Sequence, residues 1–185
     1  MKKKLKEIAI IQSGYFIKSL GVGDVFYIQT KDVEEFGFIK NNLVKELRCD
    51  QIRDNQLLEP GDVLYASKGV RNIATVYSDD IGPSVASSAF FVIKLTDGNY
   101  LPEYIKIVLN ESQNTNYFKN NLSGGTIKLI GKSVLENFEV KKISLDKQHQ
   151  LINMYNLYLK ELDFYSKLKD KKTKLINKIV LDYTN

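Results

Sequence analysis

From Ser144 to Asn185 the chain contains neither proline nor glycine, and Leu151, Tyr155, Tyr158, Leu162, Tyr165, Leu168, Leu175 and Ile179 recur mostly at three- and four-residue steps. That spacing keeps one face apolar, so the stretch predicts a single amphipathic helix. Ser144 can serve as its N-cap, and Asp146 in the first turn meets the helix dipole favourably. From Asp146 to about Leu181 the helix would run on the order of 54 Å. A domain of about 145 residues has a radius of gyration of only roughly 15 Å. The rod therefore outreaches any domain the rest of the chain can form, and its uncovered stripe predicts antiparallel pairing with a second copy or with another protein's helix. Folding back as a hairpin would need a turn, and no Gly or Pro marks one.

The preceding residues predict an α+β domain over 1–145, with the helix, 146–185, appended to it. Residues 24–30, 62–67, 73–77 and 89–95 are β-branched or aromatic runs bounded by Gly, Asp, Asn or Ser, and they read as strands. Pro102 opens a short helix in which Tyr104, Ile105, Val108 and Leu109 share a face, with proline at a tolerated first-turn position. A polar loop containing Ser123-Gly124-Gly125 follows, then a short strand at 126–130, a helical turn near 134–137 and a strand at 138–143.

Composition removes whole classes of function. Cys49 is the one cysteine and His149 the one histidine, so disulfide scaffolds and His/Cys zinc sites are excluded, and a reducing, cytoplasmic setting is expected. The apolar run Ile8–Ile11 ends at Gln12, short of the roughly 7 to 15 residues of a signal peptide. No run approaches the roughly 18 apolar residues of a membrane span, so no membrane partner is expected. With only Pro60, Pro83 and Pro102 present, the Asn-Pro-Pro-aromatic site of an amino-methyltransferase cannot be written, and no Gly-x-Gly-x-x-Gly turn follows a strand. Asp62 and Lys68 resemble part of a metal-dependent nuclease site, yet Ala66 stands where the second acid belongs. Asp170-Lys171-Lys172 has acid-x-Lys spacing but lies on the long helix, where no strand sets a partner carboxylate beside it. His149 in the first turns of that helix reads as solvent-facing, not as part of a catalytic triad. No catalytic residue, metal site or bound cofactor is expected.

The net charge of +5 is unevenly spread: residues 1–20 carry +4, residues 21–64 carry −4 and residues 113–145 carry +3. Segregation of this kind suits a polyanion on one face and a protein on another, although an ordinary solvated surface has similar counts. Lys68, Arg71 and Asn72 lie between two expected strands with no acid until Asp79. Arg pairs with guanine edges, Asn with adenine edges, and Lys with either guanine or a phosphate, so this loop is the first candidate for contact with double-stranded DNA; a plain hairpin loop has the same residue types. Thr126 and Lys128 beside Gly124-Gly125, with Lys132 beyond, combine small residues, exposed amides and cations that suit phosphates, as they would suit a flexible linker. Tyr15 and Lys18 in the basic N-terminal segment form a third candidate.

Taken in order, Leu5-x-Glu7-Ile8-Ala9, Ser13-Gly14, Leu58-x-Pro60-Gly61-Asp62-Val63-Leu64, Lys68-Gly69, Ala86-Ser87-Ser88-x-Phe90-Phe91-Val92-Ile93, Leu101-Pro102-Glu103-Tyr104, Gly124-Gly125-Thr126 and Leu145-x-x-Gln148-x-x-Leu151 resemble one half of a type I restriction-modification specificity subunit. The resemblance spans nearly the whole chain. It implies a target-recognition domain followed by a long helix that packs antiparallel with a second such helix, each domain reading one half of an interrupted DNA sequence. It implies too that catalysis belongs to partners: a modification subunit that methylates adenine with S-adenosylmethionine, and a restriction subunit that hydrolyses ATP. The sequence departs from the family by carrying one half where two are usual, and by Lys147 where Glu commonly precedes the glutamine. The expected reading unit is a homodimer; the alternative is a helix-mediated interaction protein or antagonist that pairs with a full-length specificity subunit.

Overall fold

The computed structural model describes residues 1–18, 21–68, 72–121 and 129–184. Among these, the chain runs β1 (Lys2–Lys4), β2 (Ala9–Ser13), β3 (Val25–Ile28), β4 (Lys45–Leu47), β5 (Val63–Ala66), β6 (Ala74–Val76), β7 (Ser84–Ala86), β8 (Phe90–Leu95), α1 (Pro102–Asn110), α2 (Ser112–Asn120), α3 (Lys132–Glu136), β9 (Glu139–Lys141) and α4 (Leu145–Thr184). The architecture is α+β with a long C-terminal helix, as the sequence predicts.

The central sheet has the order β2-β8-β5-β6, with antiparallel pairing throughout. One of its faces joins Ile11, Val63, Tyr65, Phe91 and Ile93 to α1 residues Tyr104, Ile105 and Leu109 in the main core. The opposite face contributes Leu64, Ala66, Phe90 and Val92 to a second core with Ile28 and Tyr77. Both faces are therefore buried, which is why β5 and β8 read as continuous apolar runs and not as alternating ones. A smaller sheet, β4-β3-β7, has a core of its own around Val25, Tyr27, Leu47 and Val85. A ribbon of β1 and β9 ties the N-terminus to the segment that enters α4.

Strands β3, β5, β6 and β8 fall where β-branched and aromatic runs predict them. One expectation needs correction. The polar stretch after α1 is not loop from its start, because α2 occupies Ser112–Asn120. The Glu111 carboxylate accepts from the amides of Gln113 and Asn114 at its N-terminus, and fully buried Phe118 packs its ring 5.0 Å from Tyr65 and 4.9 Å from Phe138. One cap and one buried aromatic hold a helix that has little apolar periodicity. The strand expected at 126–130 lies mostly outside the described residues; Leu129 forms an isolated bridge with Lys68.

The Pro60-Gly61-Asp62 turn is explained by packing. Gly61 has φ +92°, a conformation that L side chains rarely adopt. Asp62 is 4% exposed and accepts from the Glu59 amide and from Lys94 Nζ, each at 2.9 Å. Burial by itself would lower the Lys94 pKa, but the hydrogen bond and charge of Asp62, with Glu59 adding, raise it above the ordinary lysine value.

At the far end of the chain, α4 begins with the Lys147 amide 3.4 Å from Ser144 Oγ and the Gln148 amide 3.0 Å from the Ser144 carbonyl. Its first turns lie against α1, burying Gln148, Ile152 and Leu159. The rest projects: among the described residues from Lys160 to Thr184 only Leu162 is partly covered. Among the described residues no helix is long and apolar enough to cross a membrane.

Candidate nucleic-acid interface

Sheet register gathers two of the candidate segments. Ser13 pairs with Phe91, Ala66 with Phe90 and Tyr65 with Ala74, so the chain leaving β2, the β5–β6 hairpin loop and the turn entering β8 all emerge at one end of the central sheet. Leu101, Gln148 and the start of α4 lie at the other end, beyond Leu95. The loops and the rod thus occupy opposite ends of the domain.

The loops at that end are cross-braced. The amides of Gly14 and Tyr15 donate to the carbonyls of Phe90 and Ala86, both at 2.9 Å. A Cβ on Gly14 would collide with the Ser87 carbonyl oxygen, so glycine permits this approach. The Ser67 amide and hydroxyl both donate to the Ala89 carbonyl, at 2.9 and 3.0 Å. The Ile130 amide donates to the Ser67 carbonyl at 2.9 Å, bringing the chain beyond residue 128 to the same end.

Within this cluster the candidate residues hold different positions. Lys68 and Lys18 are exposed, and neither has an ion-pair partner among the described residues. Asn72 is half-buried and donates from Nδ2 to the Ala66 carbonyl at 2.9 Å, closing its own hairpin. Tyr15 is half-buried and acts as a brace: its hydroxyl donates to the Asn55 carbonyl at 3.3 Å, and its carbonyl accepts from Tyr27 at 2.8 Å. Burial pushes the Tyr27 phenol above its ordinary pKa. Lys132 opens α3 with its ammonium 3.5 Å from Glu136. Arg71, Thr126 and Lys128 lie outside the described residues. Sequence reasoning passed over Phe16, which is 79% exposed beside Tyr15. Tyr15, Phe16 and Ile17 are all apolar or aromatic, so the sequence does not mark which of them is left exposed.

The helix stripe divides at about Leu159. Leu151 packs against the main core, and Tyr155 is half-buried with its phenol pushed up by that burial. Tyr158, Tyr165, Leu168, Leu175 and Ile179 are exposed, while Leu162 is half-covered. Met154, Leu157, Phe164, Ile176 and Val180 are exposed as well, so the uncovered apolar face is broader than the predicted stripe. Elsewhere, a shallow cleft lined by Val22, Asp24, Arg48, Cys49 and Asp50 is closed on itself: Arg48 pairs with Asp50 at 3.2 Å, and Asp24 accepts the Cys49 amide at 2.8 Å. Among the described residues no three His, Cys, Asp or Glu side chains are grouped so as to hold a metal ion.

The fold of this chain is found in solved structures. The HsdS subunit from Thermoanaerobacter tengcongensis superposes with a TM-score of 0.64 at 15% identity, over 94% of this chain and 45% of that one. The fold is that of type I S subunits. The S subunit of a type I restriction-modification system from M. genitalium gives a TM-score of 0.61 at 15% identity, over 88% of this chain and 40% of that one. A chain from a structure of the assembly and conformational transition of the type I R-M system gives 0.64 at 14% identity, over 93% of this chain and 41% of that one. The S-subunit fold seen here thus spans less than half the length of each of these proteins. No family model matches the sequence, and no curated protein does.

Proposed function

We propose that this chain is a DNA sequence-recognition subunit of a type I-like restriction-modification system, with no catalysis of its own. It reads double-stranded DNA through the loops at the β2, β5 and β8 end. It pairs with a second copy through α4 and recruits a methyltransferase subunit. S-adenosylmethionine and, where a restriction subunit joins, ATP are bound by those partners. The observation that carries the reading is the S-subunit fold over 88 to 94% of the chain. The apolar face of α4 beyond Leu159, which the domain leaves bare, supports the pairing.

The test is reconstitution. The chain, mixed with an adenine methyltransferase subunit encoded beside it, should confer methylation at one defined sequence that neither component methylates alone. Methylation that is unchanged without the chain would remove it from recognition. A chain found paired with a larger specificity subunit, and silencing it, would make it an antagonist acting through the same helix.

A further inference from the structure

Phe16 combines wide exposure with a rigid base. On one side Tyr15 is held by three hydrogen bonds, to Ala86, Asn55 and Tyr27. On the other, Ile17 packs against the core of the smaller sheet. The segment alternates in, out, in, so the backbone itself directs the ring outward. A lone exposed apolar side chain is ordinary on protein surfaces. This one stands beside cations that have no ion-pair partner among the described residues: Lys18 is two residues on, and Lys68 lies across the turn that enters β8.

Spacing narrows what such a ring can meet. β2 and β5 flank β8 in the sheet, so the bases of the Phe16 and Lys68 loops are two strand spacings apart, about 10 Å. The major groove of B-DNA is about 12 Å wide. A separation of that order lets Lys68 meet a phosphate at the groove edge while a ring carried on the neighbouring loop enters the groove and meets base edges. The apolar group displayed there is the C5-methyl of thymine. We propose that Phe16 reads a thymine methyl group in the major groove. This rests on the DNA-recognition reading above.

The experiment selects random-sequence duplexes of about 40 base pairs on the full chain at low salt, then remakes the best-enriched duplex with deoxyuridine for thymidine at each position in turn. That exchange removes the methyl alone. The unaltered chain should lose about fourfold in affinity at one thymine of each half-site, the worth of one buried methyl group. Phe16→Ala should bind the unmodified duplex at least about fourfold more weakly and show no further loss at that position, whereas Phe16→Leu should keep part of the sensitivity. Lys68→Ala should weaken both duplexes alike and lower the slope of log affinity against log salt by about one for each copy of the chain bound. Phe16→Ala remaining as methyl-sensitive as the unaltered chain, or no thymine being sensitive, would overturn the inference while leaving DNA recognition intact. No enrichment of any duplex would bring down that reading, and this inference with it. A Phe16→Ala chain that keeps methyl sensitivity but loses self-association would assign the ring to a protein interface and overturn the inference.

Discussion

Gln148 is fully buried, and its side chain joins two segments of the backbone through three bonds: Oε1 accepts from the Leu101 amide at 2.8 Å, while Nε2 donates to the carbonyls of Asn99 and Ile143 at 2.7 and 3.0 Å. Replacing it by Ala strands these backbone groups away from water, so Gln148→Ala should cost about 1 to 3 kcal/mol in urea unfolding. A change below about 0.5 kcal/mol would show that water takes over its bonds. The same turn holds Asp97, whose carboxylate accepts from the Asn99 side chain at 2.6 Å, the Asn99 amide at 3.0 Å and Lys3 at 3.2 Å. These partners bring its pKa down to about 2 from an ordinary 3.8. A carboxyl depressed in the folded state adds stability above its ordinary pKa, and that contribution is lost as pH falls from there through the folded value. Thermal unfolding midpoints should therefore drop less between about pH 5 and pH 2 in Asp97→Asn than in the unaltered chain. Identical acid profiles would show that Asp97 contributes nothing to acid sensitivity.

At the scale of elements, legibility in the sequence followed the physics that shapes each one. The long helix was legible because its periodicity is sustained and Ser144 stands at its start. β5 and β8 were legible because burial on both faces demands unbroken apolar runs. β4 and β7 are three residues each, with their pairing set by neighbours far along the chain, and such strands leave little local signal. α2 was hidden because one cap and Phe118 hold it. For the candidate interface, residue types were readable but commitments were not: Asn72 looks like a base reader until its bond to Ala66 is seen. The helix carries its own prediction. Leu162 and Tyr165 stand on the part of α4 that leaves the domain, with Tyr165 57% exposed, so replacing both by Asp should spare the fold. In a self-paired seam the same change places unpaired charge at a cost of several kcal/mol. Light scattering should report a dimer before the change and a monomer after it. A dimer that survives would move the interface to the globular part.

At the scale of the whole molecule, the separation of loops from rod sets what kind of site two copies can read. α4 is 40 residues long, about 60 Å, and the portion beyond Leu159 is on the order of 37 Å. Two identical helices packed antiparallel place a two-fold axis across their middle, with one domain at each end of the pair. Identical readers related by a two-fold axis meet identical half-sites in inverted order, as operator palindromes mirror protein symmetry. The target should therefore be an interrupted palindrome, with half-site centres roughly one to one and a half DNA turns apart at about 34 to 36 Å per turn. Genome-wide mapping of methylated adenines, in cells holding this chain and its methyltransferase, would display the motif. An asymmetric bipartite motif would exclude the homodimer as the reading form, because no two-fold arrangement of one recognition domain can produce it, and would require a second, different domain at the other end of the rod.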